Sequence, residues 1–199
     1  MKPVLFAVSA LALGLAACSE PENPAAVATT EPGVAPASAP NDVQPQVESG
    51  VQAYVEKAAL GDMFEVEASK VALERTKVQA VKDYAQMMVD GHTATSAEMK
   101  PLASAAGVQP PTALDEAHLK KIADLRDASE ADFDDKYIDI MTEAHENALD
   151  LNQDFAKNGK DAGLMAFAGK TAPTIEAHLT QVKALDDGSA DDITEDNKS

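Results

Sequence analysis

Between Val51 and Leu185 the apolar residues recur every three to four positions, with no sustained alternation, and this constrains the fold more than any other feature of the chain. Alternation at period two would be needed to bury one face of a strand, so the segment is expected to be all helical. Long helices rich in Ala, Leu, Met, Glu, Lys and Gln bury a stripe each, and roughly 135 residues suffice for one core, so the expected fold is a four-helix bundle. The chain has no Trp and only 5 Phe and 3 Tyr, so Leu, Val, Ala and Met must do most of the packing.

The first helix is expected from about Val51 to Glu74. Thr76 with Gln79 has the spacing of a capping box and predicts the start of the second. That helix carries Val81, Ala85, Met88, His92, Thr95, Met99 and Leu102 on one stripe and should stop at Gly107, ahead of Pro110 and Pro111. Thr112 with Asp115 opens a third element, which breaks near Ala128 and resumes through Tyr137, Met141, His145, Ala148 and Phe155 to Asn158. A last helix from about Asp161 turns Leu164, Phe167, Ala168, Thr171, Ile175, His178, Val182 and Leu185 inward. Pro101 and Pro173 fall inside helices, where each removes a backbone hydrogen bond and is expected to bend its helix. Short connections predict antiparallel neighbours.

The two ends of the chain differ from this middle. Lys2, an apolar run from about Val4 to Leu15, and Leu15-Ala16-Ala17-Cys18 have the anatomy of a secretory signal ending in a lipobox. Residues 1–17 are therefore expected to be removed and Cys18 acylated. Ser19 follows it, where retention at the inner membrane usually needs Asp. The expected location is the outer membrane, anchored by lipid and facing the periplasm. More than one acyl chain gives firm attachment, since each buried methylene contributes about 0.8 kcal/mol. Residues 18–49 hold six of the eleven prolines and read as a disordered, extended tether. From Asp187 to Ser199 the chain is an acidic tail without the ligand pattern of a calcium loop, and it is expected to be disordered.

A formal net charge of -18 disfavours nucleic acid and anionic lipid headgroups as partners. The single cysteine, committed to acylation, leaves neither a disulfide nor a thiolate in the folded part. Of the 4 histidines, His92, His145 and His178 fall one per helix on the inward stripes, while His118 lies near a helix start. Three imidazoles from separate helices could bind a metal, with copper, iron and zinc as candidates, or form a satisfied polar network. A fourth ligand could come from the first helix. Glu65, on a face with Ala58, Asp62, Ser69 and Ala72, is preferred to Glu67, which sits with Leu60, Phe64 and Val71. Met88 and Met141 stand four residues before His92 and His145, as lesser ligand candidates or as core filling. None of the three histidines follows a glutamate by three residues, so the Glu-x-x-His pairs of a di-iron carboxylate centre are missing.

The blocks Met88-Val89-Asp90-Gly91-His92-Thr93, Ala144-His145-Glu146-Asn147-Ala148-Leu149, Asn158-Gly159-Lys160-Asp161 and Pro173-Thr174-Ile175-Glu176-Ala177-His178-Leu179 resemble those of the DUF4142 family. The resemblance covers about Val51 to Leu185. It implies a ferritin-like helical bundle over residues 50–186 in a small secreted or lipid-anchored bacterial protein, with the family's histidines at His92, His145 and His178. The chain departs at Gly91, where the family commonly carries Asp. Activity is not implied. The expected role is non-enzymatic binding in the envelope, with a metal-dependent redox enzyme and a metal-free interaction module, its protein partners unknown, as alternatives.

Overall fold

A computed structural model describes residues 44–187, with side chains from Gly50 onward. The signal segment, Cys18, most of the tether and the acidic tail lie outside the described residues. Five helices and no strand are found among those described. Four are long: α1 (Gln44–Arg75), α2 (Gln79–Ala105), α4 (Phe133–Asn158) and α5 (Ala162–Asp186); α3 (Glu116–Arg126) is short. α1 thus starts inside the stretch read as tether. None of the described helices is long and apolar enough to cross a membrane.

The long helices form the bundle. α1 packs against α2 and α4, and α5 against α4 and α2, which leaves α1 diagonal to α5 and α2 diagonal to α4. Neighbours are antiparallel, as cross-links along their length show. Tyr54 near the start of α1 meets Asn152 near the end of α4, and Lys170 near the start of α5 meets Glu98 near the end of α2. The connection from α2 to α4 is not short. It carries α3 back along α1, so α2 and α4 run parallel across the diagonal. The first part of the expected third bundle helix is therefore α3, a separate helix on the outside of the bundle. The break near Ala128 separates α3 from α4, while α2 and α5 run through Pro101 and Pro173 without interruption.

Arg75, the last residue of α1, holds this crossover. Its guanidinium donates to the carbonyls of Leu125, Arg126 and Ala128 at 3.1, 2.8 and 2.8 Å and lies 4.4 Å from the Phe133 ring centre. The Leu125 and Arg126 carbonyls end α3 and the Ala128 carbonyl follows it; Leu125 also accepts from the Ala128 amide at 3.3 Å, and the partial negative charge of the helix end favours a cation. The helix starts depart from expectation in detail. Thr76 does not cap α2; its hydroxyl accepts from the Val78 amide, and the cap residue is Val78. Asp115, not Thr112, caps α3 by accepting from the His118 amide. Asp161 caps α5 through the Leu164 amide. Gly107 ends α2 with φ of 75°, a backbone conformation that side chains disfavour.

Two apolar clusters fill the core. One joins Phe64, Val71, Val81, Met88, Leu125, Tyr137, Met141 and Val182. The other joins Tyr54, Val55, Met99, Phe155, Leu164 and Phe167, with the Tyr54 and Phe155 rings stacked at 3.9 Å. Between them lies a buried polar layer.

Candidate metal centre

The polar layer is built from one or two residues of each long helix: Asp62 and Glu65 of α1, His92 of α2, His145 of α4 and His178 of α5. Each is on the inward stripe of its helix, and Asp62 precedes Glu65 by three residues and so shares its face. All five are buried; Glu65 and His145 are 1% and 0% exposed. The three imidazole rings form a near-equilateral triangle with centroid separations of 5.4, 5.6 and 5.6 Å. Nitrogens from all three lie within 4.8 Å of one another.

Hydrogen bonds decide what each ring can offer. His145 Nδ1 is 2.8 Å from the Met141 carbonyl, which can only accept, so Nδ1 carries the proton. Its Nε2 is therefore a bare lone pair, buried and without a partner. His92 Nδ1 lies 2.9 Å from both Asp62 Oδ1 and Glu65 Oε2, which likewise places a proton on Nδ1 and leaves buried Nε2 without a partner. His178 Nδ1 is also buried and unpartnered. Glu65 Oε1 faces His145 Nδ1 at 3.2 Å but receives no hydrogen bond, because that N–H is committed to Met141. Ser96 donates to the other oxygen of Asp62 at 2.9 Å.

Electrostatics separates the three imidazoles. Burial depresses the pKa of His92, but the charge of Glu65 and then the bonds to Asp62 and Glu65 outweigh it and carry the value up to about 10. Burial lowers His145, with Glu65 opposing. His178 falls to about 4 through burial, reinforced by His92 and His145. Glu65 is held below its usual range: burial would raise it, and His92 and the other two histidines overcome that. Asp62 is raised, because burial outweighs its bonds to His92 and Ser96. Without metal, the layer at neutral pH thus holds one imidazolium against buried carboxylates and two neutral imidazoles.

The structure brings His92, His145, His178 and Glu65 together, which their spacing in the sequence left open. Glu67 is not among them: it points outward and pairs with Lys70 at 2.6 Å. Met88 and Met141 are buried in the apolar cluster beside the layer, where they fill the core. His118 sits at the start of α3, its ring on Phe64 and Nδ1 2.7 Å from Asp115. Asp62 was legible only as a neighbour of Glu65 on the same face; its bond to His92 depends on the register between α1 and α2. Gly91 also gains a meaning. A Cβ there would lie 3.4 Å from His178 Cε1, so the ring packs against bare backbone of α2.

The sequence profile of the family described as "Domain of unknown function (DUF4142)" matches residues 36–185. The chain is a member of the DUF4142 family. Its helical bundle resembles two solved structures. "CopM in the Cu(I)-bound form" is 16% identical with a TM-score of 0.57, over 68% of this chain and 94% of that one. The "DUF305 fragment from Deinococcus radiodurans" is 14% identical with a TM-score of 0.58, over 71% and 95%. At these identities the likeness is one of fold. No curated protein sequence matches this DUF4142 protein.

Proposed function

We propose that this protein binds a transition metal ion through His92, His145 and His178, with Glu65 as carboxylate partner, while a lipid on Cys18 holds it at the outer membrane facing the periplasm. The observation that carries the metal reading is that three rings from three helices each keep a buried nitrogen without a partner while their nitrogens gather within 4.8 Å. Leaving a buried polar atom unpaired costs about 1–3 kcal/mol, so a metal-free structural network accounts poorly for three at one point. The Met141 carbonyl and the Asp62 carboxylate each fix a ring by its far nitrogen, as outer partners of metal-bound imidazoles do.

Imidazole and carboxylate without thiolate suit borderline divalent ions, with copper, zinc and iron the first to test. The fold likeness to CopM, described in its Cu(I)-bound form, puts copper at the head of that series. A bound ion would supply Lewis acidity or, if copper or iron, electron transfer. The chain's own residues would orient the rings and release the His92 proton. The anchor rests on the lipobox, and the role proposed is binding or buffering of metal in the envelope.

Metal analysis of protein purified without chelator tests the site. Near-stoichiometric metal is expected in the wild type, and none in His145→Ala or in a variant with all three histidines replaced by Ala. Unchanged metal content in these variants, or no uptake after titration with copper, zinc and iron, would reject it. Turnover with oxygen or peroxide would separate an oxidase from a carrier.

A further inference from the structure

We infer that the metal centre is closed on the His145 side and opens, past His92 and His178, into a binding cavity for a small uncharged organic molecule with one nitrogen or oxygen donor and a ring-sized apolar body. The inference rests on the metal-binding reading above and names what the same site would admit.

A cavity of about 730 Å³ reaches from the polar layer to the surface near the start of α3. That volume lies in the range of small-molecule sites. Its inner end is formed by His92, His178, Asp62 and Glu65, but His145 does not line it. His145 is instead fully buried, with Tyr84 against its ring at 6.4 Å, and its carbonyl partner Met141 belongs to the apolar cluster together with Met88 and Tyr137. An ion held by the three rings is thus walled on the His145 side and exposed to the cavity on the other. Structural metal sites are closed by protein ligands, whereas sites that take an external ligand keep a position free.

The walls give the ligand its character. Leu60, Phe64, Leu151, Phe167 and Ile175 supply an apolar lining wide enough for a ring, interrupted by the amide of Asn147 and the hydroxyl of Thr171. The rim carries both signs, Glu56 and Asp115 against Lys57 and Lys121, and so favours no strongly charged molecule. Protein interiors are otherwise close-packed, and side chains that border a void forgo dispersion contacts that an occupant would restore.

The test loads the purified full chain in detergent with Co(II) and follows its visible absorption during titration with imidazole and with 4-phenylimidazole. Both donors should change the spectrum while the metal stays bound, and 4-phenylimidazole should bind at least tenfold more tightly, because only its phenyl ring reaches the apolar wall. Ala148→Trp, which fills the cavity from α4, should retain stoichiometric Co(II) and lose that advantage. Bound Co(II) that responds to neither compound, or equal affinity for both in the wild type, would overturn the open cavity and leave the metal site standing. Uptake of none of Co(II), copper, zinc and iron would reject the metal site and this inference with it, and where only another of these ions binds, the two donors are titrated against that ion with the same expected outcomes.

Discussion

Without metal, the stability of the bundle should depend on pH through His92. Its folded pKa of about 10 stands above the ordinary 6.5 it regains on unfolding. A value raised by folding adds stability that is complete below pH 6.5 and is lost as pH climbs toward 10. At pH 7 the remaining contribution is about 4 kcal/mol, since each tenfold difference in proton affinity between the folded state and the solution is worth about 1.36 kcal/mol. Between pH 7 and pH 9 the metal-free protein should therefore lose about 3 kcal/mol, a slope of one proton. Urea unfolding in the presence of EDTA at pH 7, 8 and 9 measures this directly. Glu65→Gln removes the largest charge holding the proton and should flatten the slope, which separates His92 from the background titration of other groups. Metal should flatten it too, since the ion takes the place of the proton. At pH 7 uptake should release about one proton, because His145 and His178 are held neutral by burial; calorimetry in two buffers of different ionisation heat counts it. A metal-free wild type with equal stability at pH 7 and pH 9 would refute the reasoning.

Three further outcomes are expected. Arg75→Met should leave the carbonyls of Arg126 and Ala128 without their donor and that of Leu125 with only the Ala128 amide, and cost about 2 kcal/mol in chemical unfolding, because hydrogen bonds to a charged group are each worth about 1.5–3 kcal/mol and water replaces part of them. Gly159→Ala places a Cβ 2.5 Å from the Phe155 carbonyl and 2.8 Å from Met165 Cγ, so thermal unfolding should show a loss of about 1–3 kcal/mol with metal content unchanged. Cys18→Ser should move the protein from the membrane to the soluble fraction; an unchanged membrane fraction would remove the basis for the anchor.

The helices were legible because burial on one face writes a period into the sequence. The stripes through Met88, His92 and Met99, through Met141 and His145, and through Ile175, His178 and Val182 are all buried as read. Glu65 could be told from Glu67 for the same reason, since two positions turn a side chain by about 200° on a helix of 3.6 residues per turn. What the period does not record is register between helices. Asp62 beside His92, and Glu65 between His92 and His145, follow from how far α1 slides along α2 and α4, which packing of the whole core fixes. The path of α3 was hidden for a related reason. Ile122 and Leu125 are buried like bundle residues, but their stripe meets the outside of α1, and only Arg75 and the crossover reveal that. Thr76 misled because a hydroxyl two residues before an amide competes with a true cap.

The polar layer draws on residues as far apart in the chain as Asp62 and His178, one or two from every long helix. An ion held there would join all four helices at mid-height, where the two apolar clusters leave off. Binding that exists only in the folded state raises stability with the logarithm of free ion concentration, by about 2.7 kcal/mol at a hundredfold excess over the dissociation constant. Proteases that act on opened chains would then clear the protein faster where metal is scarce and spare it where metal is plentiful. Its lifetime, and hence its abundance, would follow metal supply without any sensor acting on its gene.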